Sequence, residues 1–227
     1  AFTEIGTTDI PVDRPEGAMI DDSEIAYLCE AVNRHFTRQI TPADVTSSWS
    51  GVRPLYDDGA SNASSVTRDY VLELDDDGAP LLSIFGGKIT TARQLAEDAL
   101  AKIGPPLGMT PHPVTPARIF PGGAMADFAA FLADVRATWP FLGDDRAERM
   151  ARAYGTTLAE MLHEVSHEKQ MGADLGATLT ELELAWMRDR EWAKTAADAL
   201  DRRSKLGLRL TAQQRAAVEE GFANRAC

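Results

Sequence analysis

Three short stretches of this 227-residue chain hold residue types suited to anion chemistry. Ser50-Gly51-Val52-Arg53-Pro54 and Thr67-Arg68-Asp69-Tyr70 each set an arginine beside a segment that reads as strand. Phe85-Gly86-Gly87-Lys88-Ile89-Thr90-Thr91-Ala92-Arg93 joins a strand to a helix through two glycines, which permit close backbone approach. The helix start that follows presents free N–H groups and a positive dipole end, a setting that suits phosphate or a negatively charged ring. Arginine adds a planar fork matched to phosphate oxygens. By itself, each feature has a plainer reading: a glycine turn is ordinary turn chemistry, and an arginine at a strand end is ordinarily half of a surface ion pair.

A fourth stretch, His163-Glu164-Val165-Ser166-His167, has the spacing of a zinc peptidase motif. On a helix both histidines would share one face and Glu164 could activate water. The longer form of that motif continues with a glycine and a third histidine, where this chain has Gln170 and Ala173. No metal site is therefore expected. Asp75, Asp76 and Asp77 read as a solvated hairpin tip rather than a calcium loop. Trp186, Trp192, Met187 and Leu184 read as core packing. The basic run Arg202, Arg203, Lys205 and Arg209 suits a contact with another domain or subunit.

The elements that must position these residues follow from periodicity. Residues 1–20 are extended and turn-rich, and the opening Ala1-Phe2-Thr3-Glu4-Ile5-Gly6, without an initiator Met, reads like the middle of a strand. Asp22 caps a helix to about Phe36 with an apolar face of Ile25, Leu28, Cys29, Val32 and Phe36. Thr41-Pro42-Ala43-Asp44 starts a short helical turn. Residues 45–55 read as one or two strands, and 69–74 and 80–85 as a hairpin around Asp75-Asp76-Asp77-Gly78. A helix is expected over 90–103, with Leu95, Ala99 and Leu100 inward. A Pro-rich linker then runs to Pro121-Gly122-Gly123. Beyond it the pattern is helical: 125–138, 144–154, 156–165, 178–190, 194–204 and 211–225. Thr178 with Glu181 and Thr211 with Gln214 both fit the capping-box pattern. The expected fold is α+β and predominantly helical. Residues 1–115 form a truncated remnant of larger domains, and 116–227 an all-α C-terminal domain.

Composition excludes several classes. The formal net charge of -12 argues against nucleic acid and gives no help in binding an anionic membrane. The two cysteines, Cys29 and Cys227, form no disulfide framework, so a reducing cytoplasm is the default. No apolar run approaches the ~18 residues of a membrane span.

With their flanks, the three stretches resemble the FAD-dependent glycerol-3-phosphate dehydrogenases. The likeness begins at Ile5-Gly6-Thr7-Thr8-Asp9 and continues through Ser23-Glu24-Ile25-Ala26-Tyr27-Leu28. It reappears at Phe120-Pro121-Gly122-Gly123 and at the run from Glu191-Trp192-Ala193-Lys194 to Ser204-Lys205-Leu206-Gly207. The resemblance implies oxidation of sn-glycerol 3-phosphate to dihydroxyacetone phosphate. A base takes the C2 hydroxyl proton while hydride passes to flavin N5, and electrons go on to a membrane quinone, or to oxygen in the related oxidases. It implies that Arg53 is catalytic, beside flavin and substrate, and that Arg53 and Arg68 bind the substrate phosphate. It also implies that Gly87, Lys88, Ile89 and Thr90 touch the isoalloxazine of FAD.

Two positions depart from the family pattern. Ala92 stands where a Tyr is usual, and Asp201 where a Trp is usual. No Gly-x-Gly-x-x-Gly stretch is present, so the FAD pyrophosphate cradle and the catalytic base are expected outside this chain. The chain alone is therefore expected to hold little FAD and to be inactive. The rival reading makes the helical domain an interaction or homodimerisation module without chemistry. The expected setting is cytoplasmic, with the full-length enzyme peripheral at the inner membrane face.

Overall fold

A computed structural model describes residues 2–53, 56 and 69–223, which divide into two compact units, 1–118 and 119–227. Roughly half of the described residues are helical, and among them strands occur only as two-stranded sheets.

In the first unit, helix α1 spans Asp22–Asn33. Its cap is Asp21, whose carboxylate accepts from the Glu24 amide at 2.9 Å, while Glu24 Oε2 accepts from the Asp21 amide at 3.1 Å. This reciprocal pair satisfies two amides that a helix start otherwise leaves unbonded. The helix stops at Asn33 because the Asn33 side chain closes a loop with Ile40, donating to its carbonyl and accepting from its amide, each at 2.8 Å. Phe36, expected on the inward face, thus lies beyond the helix and is exposed. Antiparallel strands β1, Val71–Asp75, and β2, Leu81–Phe85, pair in the register Val71↔Phe85 and Asp75↔Leu81 around the aspartate-rich turn. Helix α2, Ala92–Ile103, packs on both strands; Leu95 and Ala99 are partly buried, whereas Leu100 is exposed.

Two strand expectations need correction. Residues 2–14 form no strand, and neither do 45–53; Pro54 and Leu55 lie outside the described residues. A strand needs a partner's ladder of amides and carbonyls, and among the described residues no third strand joins either open edge of the β1–β2 sheet. Among the described residues, Cys29 is the single buried hydrophobic side chain of this unit, and Trp49 and Ile89 stand 71% and 94% exposed. The apolar content of residues 1–118 therefore has little of its own core to enter.

The second unit holds the core. Helices α3, Phe128–Thr138, and α4, Gly143–Tyr154, pack on each other. They are followed by the short α5, Leu158–Met161, then α6, Glu181–Arg190, a π-helical turn Asp198–Arg203, and α7, Ala212–Ala223. Val135, Met150, Leu158, Leu162, Met171, Leu179, Met187, Leu200 and Val218 are all buried between them.

The all-α expectation needs one correction. Strands β3, Asp174–Gly176, and β4, Leu179–Thr180, form a hairpin before α6. Its two loop residues, Ala177 and Thr178, both have positive φ, as a mirror-image hairpin turn requires. That strain is held by arginines on α4. The Thr178 carbonyl accepts from Arg146 Nε at 3.2 Å and Arg149 Nη2 at 2.9 Å, and the Thr178 hydroxyl from Arg149 Nε at 2.7 Å. Thr178 therefore does not cap α6. Thr180 does, its hydroxyl accepting from the Glu183 amide. The Thr211–Gln214 box forms at α7 as its spacing predicts.

Phe120-Pro121-Gly122-Gly123 belongs to this unit rather than to a linker. The Gly122 carbonyl accepts from the Thr156 amide at 2.9 Å, and a Cβ on Gly155, at φ +53°, would meet the Gly122 oxygen at 2.0 Å. Only glycine permits this approach of two chains.

Candidate functional site

The Gly-Gly-Lys turn leaves β2 with Gly86 at φ +72° and Gly87 at φ +99°, conformations that L side chains rarely adopt. A Cβ on Gly87 would lie 3.0 Å from Leu95 Cδ1 and 3.6 Å from Tyr70 Cβ. The turn is thus pressed onto Tyr70 from one side and α2 from the other. Tyr70 is anchored in turn: its hydroxyl donates to the Asp98 carboxylate on α2, which also accepts from Gln94 at 2.8 Å. The Tyr70 bond, then Gln94, hold Asp98 below the usual carboxylate range, and the same bond raises the Tyr70 phenol. The sequence singled out Thr67-Arg68-Asp69-Tyr70 for its arginine, whereas the described end of that motif is a buttress for the glycine turn.

After the turn, Lys88, Ile89 and Thr90 are exposed. The helix does not begin at Thr90. A 3-10 turn, Ile89–Thr91, precedes α2, and the Thr91 hydroxyl bridges the Lys88 amide at 3.3 Å and the Lys88 carbonyl at 3.1 Å. The first-turn amides at Ile89 and Thr90 precede any intrahelical acceptor. Lys88 makes no ion pair among the described residues. An exposed cationic side chain and the amides at the positive end of a helical run form a donor set suited to an anion.

Arg53 lies in extended chain. Its Nη1 pairs with Asp9 Oδ2 at 2.5 Å, across a sequence separation of 44 residues. Both side chains are close to two-fifths exposed, so the pair sits at the unit's surface. Three residues on, the Tyr56 ring packs on Phe85 with centroids 5.6 Å apart, and the Tyr56 hydroxyl donates to Glu73. This contact places Tyr56 at the end of β2, immediately before Gly86. Arg68 lies outside the described residues. Asp9 was legible only as part of a motif; nothing in the spacing marks it as the partner of Arg53.

Segment 7–10 is held at α1. The Thr8 hydroxyl donates to Glu24 Oε1. Thr7, Thr8, Asp9, Ile10, Ser23, Glu24 and Tyr27 line an open cleft of about 370 Å³.

Comparison with known proteins places the chain among recognisable relatives by sequence. Residues 2–93, which contain every candidate site residue, match the sequence pattern of the FAD dependent oxidoreductases. The chain is 42% identical over 97% of its length to D-erythritol 1-phosphate dehydrogenase of Brucella abortus, of which it covers 45%. It is 40% identical over 96% of its length to the aerobic glycerol-3-phosphate dehydrogenase of Escherichia coli, covering 44% of it. It is 41% identical over 94% of its length to a glycerol-3-phosphate dehydrogenase of Pseudomonas aeruginosa, covering 42% of it. The chain thus spans under half the length of each relative, and the likeness to them continues past residue 93 into the helical unit.

The remaining candidates fall away on geometry. Residues 163–167 are turn and extended chain, with His167 at φ -155° and ψ 158°, so the two histidines do not share a helical face. His163 Nδ1 instead contacts the Glu160 carbonyl at 3.0 Å. Trp192 is not core: it is 78% exposed at φ +56°, while Met187 and Leu184 are buried. Arg203 spans that bend, donating to the carbonyls of Glu191 at 3.0 Å and Trp192 at 3.4 Å. Asp201, the departure from the family pattern, pairs with Arg215 on α7 over Gly207. No helix among the described residues is long and apolar enough to cross a membrane.

Proposed function

We propose that this chain is part of an FAD-dependent dehydrogenase of phosphorylated polyols, oxidising sn-glycerol 3-phosphate to dihydroxyacetone phosphate and delivering electrons to a quinone. The observation that carries the reading is the corner at Gly87, buttressed by Tyr70 and α2, with Lys88, Ile89 and Thr90 exposed beyond it, inside a segment that matches the FAD dependent oxidoreductases. When bound, FAD supplies the hydride acceptor. Lys88 and the amides of Ile89 and Thr90 would face its electron-rich edge and favour extra negative charge there. Arg53, with Arg68, would bind the substrate phosphate, a dianion that a guanidinium fork meets with charge-assisted bonds.

D-erythritol 1-phosphate is the second substrate reading, favoured by the 42% identity to the Brucella abortus enzyme. Both substrates share the phosphate that the arginines would hold and differ in the length of the polyol. The test is anaerobic mixing of the full-length flavoprotein with each compound in turn. Bleaching of the flavin absorbance by glycerol 3-phosphate at lower concentration than by D-erythritol 1-phosphate supports the first reading, and the reverse order the second. Bleaching by neither refutes the proposal. Reduction of a soluble quinone without oxygen consumption separates a dehydrogenase from an oxidase. The chain by itself is expected to purify colourless and without turnover, because no Gly-x-Gly-x-x-Gly cradle for the pyrophosphate is present in it. A preparation with a flavin spectrum would contradict that.

A further inference from the structure

We infer that Asp9 is a positioning residue for Arg53, presenting its guanidinium to the substrate phosphate. The inference rests on the reading of Arg53 as a substrate-contacting group.

The argument begins with how Asp9 is held. Residues 2–14 form no strand, so no ladder fixes their course. What fixes Thr8 is Glu24, whose two carboxylate oxygens have separate tasks. Oε2 closes the cap of α1 on the Asp21 amide, and Oε1 accepts the Thr8 hydroxyl. Asp21 is itself held, accepting from the Ser23 hydroxyl at 2.6 Å and the Glu24 amide at 2.9 Å. The first turn of a twelve-residue helix therefore anchors the residue immediately before Asp9.

Asp9 then reaches Arg53 through one guanidinium nitrogen, Nη1. A guanidinium has five N–H donors in a fixed fork, and a single-point contact leaves the others to meet a second anion. Arginine has roughly 2 kcal/mol of rotamer entropy to lose on being fixed, and an anchored carboxylate removes part of that cost before substrate arrives. The same carboxylate carries a negative charge towards a phosphate dianion. The two effects oppose each other: the 2.5 Å bond fixes the fork in place, and the sign of the Asp9→Ala effect on phosphate binding separates positioning from charge neutralisation.

Both side chains are partly exposed, and exposed ion pairs contribute only about 0–1 kcal/mol to folding. Loss of Asp9 should accordingly appear in substrate binding and not in thermal stability.

The test uses the full-length flavoprotein and the variants Asp9→Ala, Asp9→Asn, Arg53→Ala and Asp9→Ala with Arg53→Ala. Each is measured for KM and kcat with glycerol 3-phosphate, for the Kd of inorganic phosphate by calorimetry, and for melting temperature. Part of the ~2 kcal/mol of arginine rotamer entropy is then paid on binding, so KM and the phosphate Kd are expected to rise a few-fold to about tenfold in Asp9→Ala. A smaller rise is expected in Asp9→Asn, which keeps an acceptor oxygen, with melting unchanged. In the Arg53→Ala background, Asp9→Ala should add nothing. If Arg53→Ala leaves KM and the phosphate Kd unchanged, the reading of Arg53 fails. If Arg53→Ala is impaired while Asp9→Ala binds as well as or better than the parent, or adds to Arg53→Ala, the positioning role alone is overturned.

Discussion

Arg149→Met tests the account of how the helical unit is held. Glu183 is completely buried, and its two carboxylate oxygens accept from Arg149 Nη1 at 2.6 Å and Nη2 at 2.7 Å and from the Tyr154 hydroxyl at 2.8 Å. Burial, then the neighbouring carboxylate, push the Tyr154 phenol far above its usual range, so it stays a donor at any ordinary pH. Methionine in place of Arg149 strands a buried carboxylate and removes two of the donors that hold the strained Thr178 turn. Arg146 keeps its bond to the Thr178 carbonyl, so the main cost is the unpaired charge, about 3–5 kcal/mol. For a unit of this size that lowers the melting temperature by at least roughly 12 °C. The assay is urea and thermal unfolding followed by circular dichroism, with the triple variant Arg149→Met, Glu183→Leu, Tyr154→Phe alongside. The triple removes the whole polar set together and should recover most of the loss, because a buried ion pair replaced by apolar groups is often near neutral. A single-variant loss below about 1 kcal/mol, or a triple variant no better than the single, would refute the reasoning.

Lys88→Ala in the full-length flavoprotein should slow stopped-flow bleaching of the flavin by substrate with little change in melting, since Lys88 is exposed; an unchanged rate removes its role. Gly155→Ala should destabilise the helical unit by more than the ~1–3 kcal/mol of backbone strain alone, because the new Cβ collides with the Gly122 oxygen; calorimetric melting checks this. Asp198 is held below its ordinary value of 3.8, chiefly by the Lys194 amide and then by Thr195. A depressed folded value means stability that is present above 3.8 and lost as pH falls through the lower folded value. Asp198→Asn should therefore be less stable than the parent at neutral pH, and the gap in urea midpoints should narrow as the solution is acidified below 3.8.

What the sequence by itself determined is local. Gly86-Gly87 had to be a positive-φ turn, Asp75-Asp76-Asp77-Gly78 a hairpin tip, and Thr211 with Gln214 a helix start, because each is settled by residues a few positions apart. The likeness to FAD dependent oxidoreductases was legible in the same way, from short motifs in a fixed order. Tertiary structure decided the rest, where the determining partner is distant in sequence. Residues 45–53 have strand-like residues, yet among the described residues they pair with no strand. Thr178 has the spacing of a helix cap, yet two arginines some thirty residues away bend it into a hairpin turn and pass the cap to Thr180. Trp192 belongs by type to a core, and Arg203 holds its backbone in the one bend that leaves it in water. Arg53 could be singled out as an anion-binding residue, but only the path of the chain past α1 decided that Asp9 would stand beside it. Backbone conformation responds to immediate neighbours, whereas pairing and burial depend on which side chains the folded chain brings together.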